Sequence, residues 1–153
     1  MSFSGKHPDP QQGIITNQPF WPDLDLMEFS INYRVPNDMV ADSVKEQLIQ
    51  AITDINSRLL DWQEQKKKEG HEHLTDVPAD TVDNQSILVI LYKRAVFSRA
   101  KATICRDYPT IDRRTEAENQ AKSADDIERI YLRNAFEAVR QMMGMNDITV
   151  ELI

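Results

Sequence analysis

At 153 residues the chain can bury a hydrophobic core as one domain without metal or disulfide support. Its 41% hydrophobic and 28% charged content excludes wholesale disorder, and four glycines are too few for a glycine-rich phosphate loop or many tight hairpins. A net charge of −7 opposes binding to bare nucleic acid unless positive charge is locally concentrated, and the single cysteine, Cys105, excludes an intramolecular disulfide framework.

Residues 1–19 contain Pro8, Pro10, Pro19, Gly5 and Gly13 among polar residues, and are expected to form a mobile N-terminal arm. No signal-peptide pattern opens the sequence, so a soluble protein made in a cytoplasm is expected. Phe20-Trp21-Pro22 should fold back onto a core as its anchor, with residues 24–31 a short extended or one-turn element. Val40, Val44, Leu48, Ile52, Ile55, Leu59 and Trp62 recur every three or four residues, which predicts one helix over 37–68. Asp38 and Asp42 stand near its positive end, Lys66-Lys67-Lys68 near its negative end, and Gly70 at its stop.

Residues 70–86 are polar, contain Pro78, and read as a loop. The run Ile87 to Leu91 would suit a strand and is far too short to span a bilayer. No breaker follows before Pro109, however, so a helix buried at its first turns is predicted from 87 to 105. A third stripe, Ala117, Ala121, Ala124, Ile127, Tyr131, Ala135, Val139 and Met142, ends at Gly144 and predicts helix over 112–143. Ser123-Ala124-Asp125-Asp126 would also cap a restart, leaving one helix or two with a joint near 122. Asp147 to Ile153 is β-branched and alternating, like a strand. The expected architecture is mainly all-α: an antiparallel bundle of three to four helices over residues 20–147, between the 1–19 arm and a strand-like 148–153 tail.

Each candidate site has a plainer explanation. His71-Glu72-His73, with Asp76, suggests a metal-dependent hydrolase, but metalloprotease geometry needs histidines four apart on one helical face. Asp23 with Asp25 and Asp125 with Asp126 are paired carboxylates of the hydrolase kind, and helix starts and turns explain both. Cys105 sits within a helical pattern and reads as a small buried residue rather than a nucleophile. Lys93, Arg94, Arg99, Lys101 and Arg106 form a basic island without an acid between 84 and 106, a candidate contact for DNA or a neighbouring subunit. Ile148, Thr149, Val150, Glu151, Leu152 and Ile153 would pair within the monomer or add a strand to a partner's open edge.

Several landmarks together resemble the GPL family of head completion or stabilisation proteins of contractile-tailed bacteriophages. They are Phe20-Trp21-Pro22 with Asp25 and Phe29, then Asp61-Trp62, Gly70-His71 and Asp76-Val77-Pro78-Ala79. Leu91-Tyr92-Lys93-Arg94-Ala95-Val96-Phe97 and the closing Thr149-Val150-Glu151-Leu152-Ile153 complete the set. The resemblance covers nearly everything after residue 19 and carries no catalytic signature.

It implies a non-enzymatic virion protein at the head–tail neck, assembled in the host cytoplasm, without cofactor or metal. Such a protein would replace the packaging terminase at the portal vertex, stabilise the DNA-filled head and offer a platform for the tail. The implied partners are the portal protein, further copies in a ring, a tail-completion or tail-terminator protein and packaged DNA, with no membrane. The alternative is a nucleic-acid-binding phage accessory protein that uses the basic 93–106 helix.

Overall fold

Ser86 starts the helix around which the protein is organised. In the computed structural model, which describes residues 11–108 and 117–144, the Ser86 hydroxyl accepts the Leu88 amide at 3.3 Å and caps a helix over Ile87–Asp107. Leu88, Tyr92, Ala95, Val96, Phe97, Ser98, Ala100, Ala102 and Ile104 are all buried, so the burial lies mostly along the middle and later turns rather than at the first turns, where Ile87 is exposed.

The elements are numbered in chain order. Strands β1 (Ile14–Ile15) and β2 (Leu24–Asp25) are followed by helices α1 (Leu26–Asn32), α2 (Ala41–Arg58) and α3 (Leu60–Lys68). A 3₁₀ turn (Leu74–Asp76), strands β3 (Thr81–Val82) and β4 (Gln85–Ser86), and helices α4 (Ile87–Asp107) and α5 (Ala117–Met142) complete the set. The fold is mainly helical, with five α-helices and two antiparallel two-stranded sheets among the described residues. Helix α4 packs against both α2 and α5. Its contacts with α2, Tyr92 to Asn56 and Arg99 to Asp54, run in opposite chain directions, so those two helices are antiparallel.

Residues 11–19 depart from the expected arm. Ile14 pairs with Asp25 and Ile15 with Leu24, and Ile15 is buried. Gln11 is buried too: its amide donates to the Met39 carbonyl at 3.0 Å, and its oxygen accepts the Ser30 hydroxyl at 2.6 Å. A proline-rich composition did not prevent docking because a short ladder and side-chain amides satisfy the backbone and polar groups. Residues 1–10 of the expected arm lie outside the described residues.

The helix expected over 37–68 begins later and is broken. Met39 N–H bonds to the Pro36 carbonyl at 3.2 Å in a turn ahead of Ala41, so Asp38 precedes the helix while Asp42 lies in its first turn. Leu59, at φ −97° and ψ 6°, interrupts the helix, although its N–H still reaches the Ile55 carbonyl at 3.1 Å. Leu59 is fully buried, and no glycine or proline marks the bend. Packing, not local propensity, sets it. The stop is as expected: Gly70, at φ 99°, follows the three lysines, with His71 N–H bonded to the Lys66 carbonyl and Gly70 N–H to the Lys67 carbonyl.

The expected 70–86 loop holds a 3₁₀ turn and a hairpin. Asp83 (φ 51°) and Asn84 (φ 58°) form its two-residue turn, the left-handed pair that type I′ geometry requires. Helix α5 is continuous through the expected joint near 122 and ends at Gly144 (φ 72°). Ala135, Ala138, Val139 and Met142 are buried, but Ile127, placed on the buried stripe by its spacing, is 41% exposed. Residues 109–116 and the strand-like tail at 148–153 lie outside the described residues.

Candidate interaction surface

Asp25 begins the arrangement that holds the N-terminal segment. Its carboxylate accepts the Met27 amide at 2.8 Å and caps α1, while Asp23 accepts the Asn17 amide at 2.8 Å. Turn and cap roles therefore account for both carboxylates. Between them and α4, Trp21 stacks on Tyr92 (centroids 4.6 Å, interplanar 9°) and on Trp62 (6.3 Å, 19°), and Phe20 meets Trp21 edge-on at 4.7 Å. Phe20 and Trp21 are buried and Pro22 is half-buried. The backbone reinforces this clasp: Leu74 N–H donates to the Phe20 carbonyl at 2.9 Å.

Beneath the clasp lies a polar network that the sequence did not reveal. The Tyr92 hydroxyl donates to Asn56 Oδ1 at 2.6 Å and accepts from Asn17 Nδ2 at 2.8 Å, and Asn56 Nδ2 donates to Asn17 Oδ1 at 3.1 Å. Burial pushes the Tyr92 phenol well above its ordinary range, against the opposing pull of the two asparagines. A lone tyrosine within the apolar run of α4 was the available signal, since a buried phenol needs a polar partner.

The histidines are drawn apart. His73 Nδ1 lies 2.8 Å from the Pro19 carbonyl, whereas His71 Nε2 is 3.9 Å from Glu69. Among the described residues no three His, Cys, Asp or Glu side chains converge as a metal group would require.

Three of the five cations of the basic island have acidic partners. Lys93 Nζ lies 3.1 Å from Glu28 of α1, and Arg99 Nε lies 3.1 Å from Asp54 of α2. Arg106 pairs with its neighbour Asp107 at 2.7 Å and approaches Glu128 of α5 at 3.8 Å. Lys101 donates to the Arg34 carbonyl at 3.1 Å, and Arg94 stands exposed. Four cations of the island are thus held by different partners.

Where α4 ends and α5 begins, the surface opens into a cleft of about 260 Å³. Tyr33, Ile104, Cys105, Tyr108, Ile127 and Tyr131 line it, with Arg34 and Lys101 also contributing. Burial lowers the Lys101 ammonium from its ordinary value, opposed by the Cys105 thiol, and burial raises the Tyr131 phenol, opposed by the Arg34 guanidinium. Arg34 itself holds a left-handed backbone (φ 49°). On the same helix, Ile130 is 46% exposed.

These features define a small, mainly helical protein whose distinctive surface is an apolar, cation-edged cleft. Among the described residues no helix is long and apolar enough to cross a membrane. The sequence profile of the phage head completion protein (GPL) family matches residues 15–153, and the chain belongs to that family. The match starts on β1, within the segment that the fold shows to be docked. The chain is 28% identical over 151 residues to the probable head completion/stabilization protein of Haemophilus phage HP1 (strain HP1c1), covering 99% of each. It is 29% identical over 137 residues to the head completion/stabilization protein of Escherichia phage P2, covering 90% of this chain and 81% of that protein. No solved structure matches significantly. The family is one of phage head structural proteins, which are virion components, rather than of enzymes.

Proposed function

We propose that this protein completes and stabilises the DNA-filled phage head at the portal vertex and provides the platform on which the tail attaches. The family match across residues 15–153 carries the reading. Its partners in this role are the portal protein, other copies of itself in a ring, and a tail-completion or tail-terminator protein. Residues Ile148 to Ile153 act as the segment that docks on the portal or another member of the assembly. The protein is assembled in the host cytoplasm and resides at the head–tail neck.

Charge supports a structural role over the nucleic-acid-binding alternative. The chain is acidic overall, and Lys93 and Arg99, two cations that the alternative needs, face Glu28 and Asp54. An acidic ring around the exit channel would let packaged DNA slide past instead of holding it. Co-sedimentation with the cognate portal ring tests the proposal, using the full-length protein and a variant lacking 148–153. Binding by the full-length protein that the deletion abolishes, with helicity retained, is the expected result. Failure of the folded full-length protein to bind portal, alone or on filled heads, would overturn it.

A further inference from the structure

We propose that the cleft between α4 and α5 receives the acidic, apolar C-terminal segment, residues 148–153, of a neighbouring copy of this chain. The inference takes from the functional reading only the docking role of that segment, and names the surface on which it docks.

Three properties of the cleft select this occupant. Its lining is mostly apolar and aromatic, from Tyr33, Ile104, Tyr108, Ile127 and Tyr131. Lys101 and Arg34 supply positive charge there, and neither has a carboxylate within ion-pair distance among the described residues. Lys101 is also partly desolvated, with no compensating carboxylate among the described residues, so an incoming carboxylate gains more from it than from a fully hydrated lysine.

The segment has the complementary make-up. Residues 147–153 contain Asp147 and Glu151 and no basic residue, with Ile148, Val150, Leu152 and Ile153 as apolar members. In an extended strand Ile148, Val150 and Leu152 share one face, while Glu151 alternates with them toward the other. Val150 and Leu152 would enter the cleft, and Glu151 would meet Lys101 or Arg34 at its edge.

Reach decides between the chain's own segment and a neighbour's. Helix α5 carries the cleft at Ala124, Ile127 and Tyr131 and stops beside Gly144 at its far end. At 1.5 Å per residue, Ile127 lies about 26 Å back along the axis from Gly144. Counted from Gly144 and fully extended, the chain's own Val150 reaches at most about 22 Å and its Leu152 at most about 29 Å, before any allowance for reversing direction. The chain's own segment therefore cannot bring both Val150 and Leu152 to Ile127, whereas a neighbour's segment has no such limit. A segment leaving one end and a receptor at the other make a heterologous contact, which closes into a ring when the rotation allows.

Disulfide trapping on the full chain tests this directly. Cys105 lines the cleft and is the only cysteine in the sequence, so Leu152→Cys adds one reporter thiol. Mild oxidation of L152C should give a ladder of intermolecularly linked chains, absent in L152C with Cys105→Ser. A parallel arm measures self-association of folded protein by sedimentation. Lys101→Glu and Glu151→Lys should each weaken it at least tenfold, and the double exchange should restore it. A linked monomer would assign the cleft to the chain's own segment and overturn the proposal. So would an absence of linkage both free and on the portal ring, or an exchange that fails to restore association. A ladder formed by protein that does not bind portal would uphold this contact while refuting the portal reading.

Discussion

Tyr92 Oη lies 2.6 Å from Asn56 Oδ1, joining the middle of α4 to α2 through a fully buried hydrogen bond. Asn17 closes the triangle from the segment ahead of β2, donating to the same hydroxyl at 2.8 Å and to the Pro22 carbonyl at 3.0 Å. Two long helices and the N-terminal segment thus share one polar junction beneath the stacked ring of Trp21. A buried network of this kind favours one register of packing, because any slip strands a polar group.

Replacing Tyr92 by Phe should cost about 1–3 kcal/mol, because the ring packing survives while Asn56 Oδ1 loses its donor. Urea denaturation should show a lower midpoint with an unchanged m value. A midpoint equal to that of the parent would show that the hydroxyl contributes nothing net.

The same phenol makes stability sensitive to alkali. Its folded-state pKa is raised above the ordinary 10.0, so its contribution is fully present below pH 10.0 and is lost as the pH rises further. Ultraviolet titration should show one of the four tyrosines ionising only together with unfolding. In Tyr92→Phe that late component should vanish. A Tyr92 that titrates normally while the protein stays folded would contradict the burial argument.

Asp54 sits between two guanidinium groups, 3.3 Å from Arg58 Nε and 3.1 Å from Arg99 Nε. Both pairs are partly solvated, so Asp54→Asn should reduce stability by about 1 kcal/mol or less. Combined with Glu28→Gln it would free Arg99 and Lys93 on the basic helix. That double variant should bind duplex DNA more tightly than the parent at low salt, with a steeper salt dependence. Equal retention by both proteins would show that the ion pairs do not mask the helix.

How much was legible follows from the range of the forces involved. Helix α4 could be read because a long run without glycine or proline has few alternatives to a helix. The stop at Gly70 was equally local, since a left-handed residue after three lysines completes a helix end. The break at Leu59 had no local sign, because a buried leucine fits an unbroken helix as well as a bent one.

The candidate surfaces divide in the same way. By itself the sequence determined the mainly helical class, the fold-back of Phe20 and Trp21 and the family, because propensity, period and motif are properties of neighbouring residues. Only the tertiary structure decided that Ile15 and Gln11 join the core, and that Glu28 and Asp54 pair with Lys93 and Arg99 of the basic helix. It also brought Arg34, Lys101 and Tyr131 to one cleft. Those outcomes join residues far apart in the chain, and their partners exist only once packing has fixed which helix faces meet.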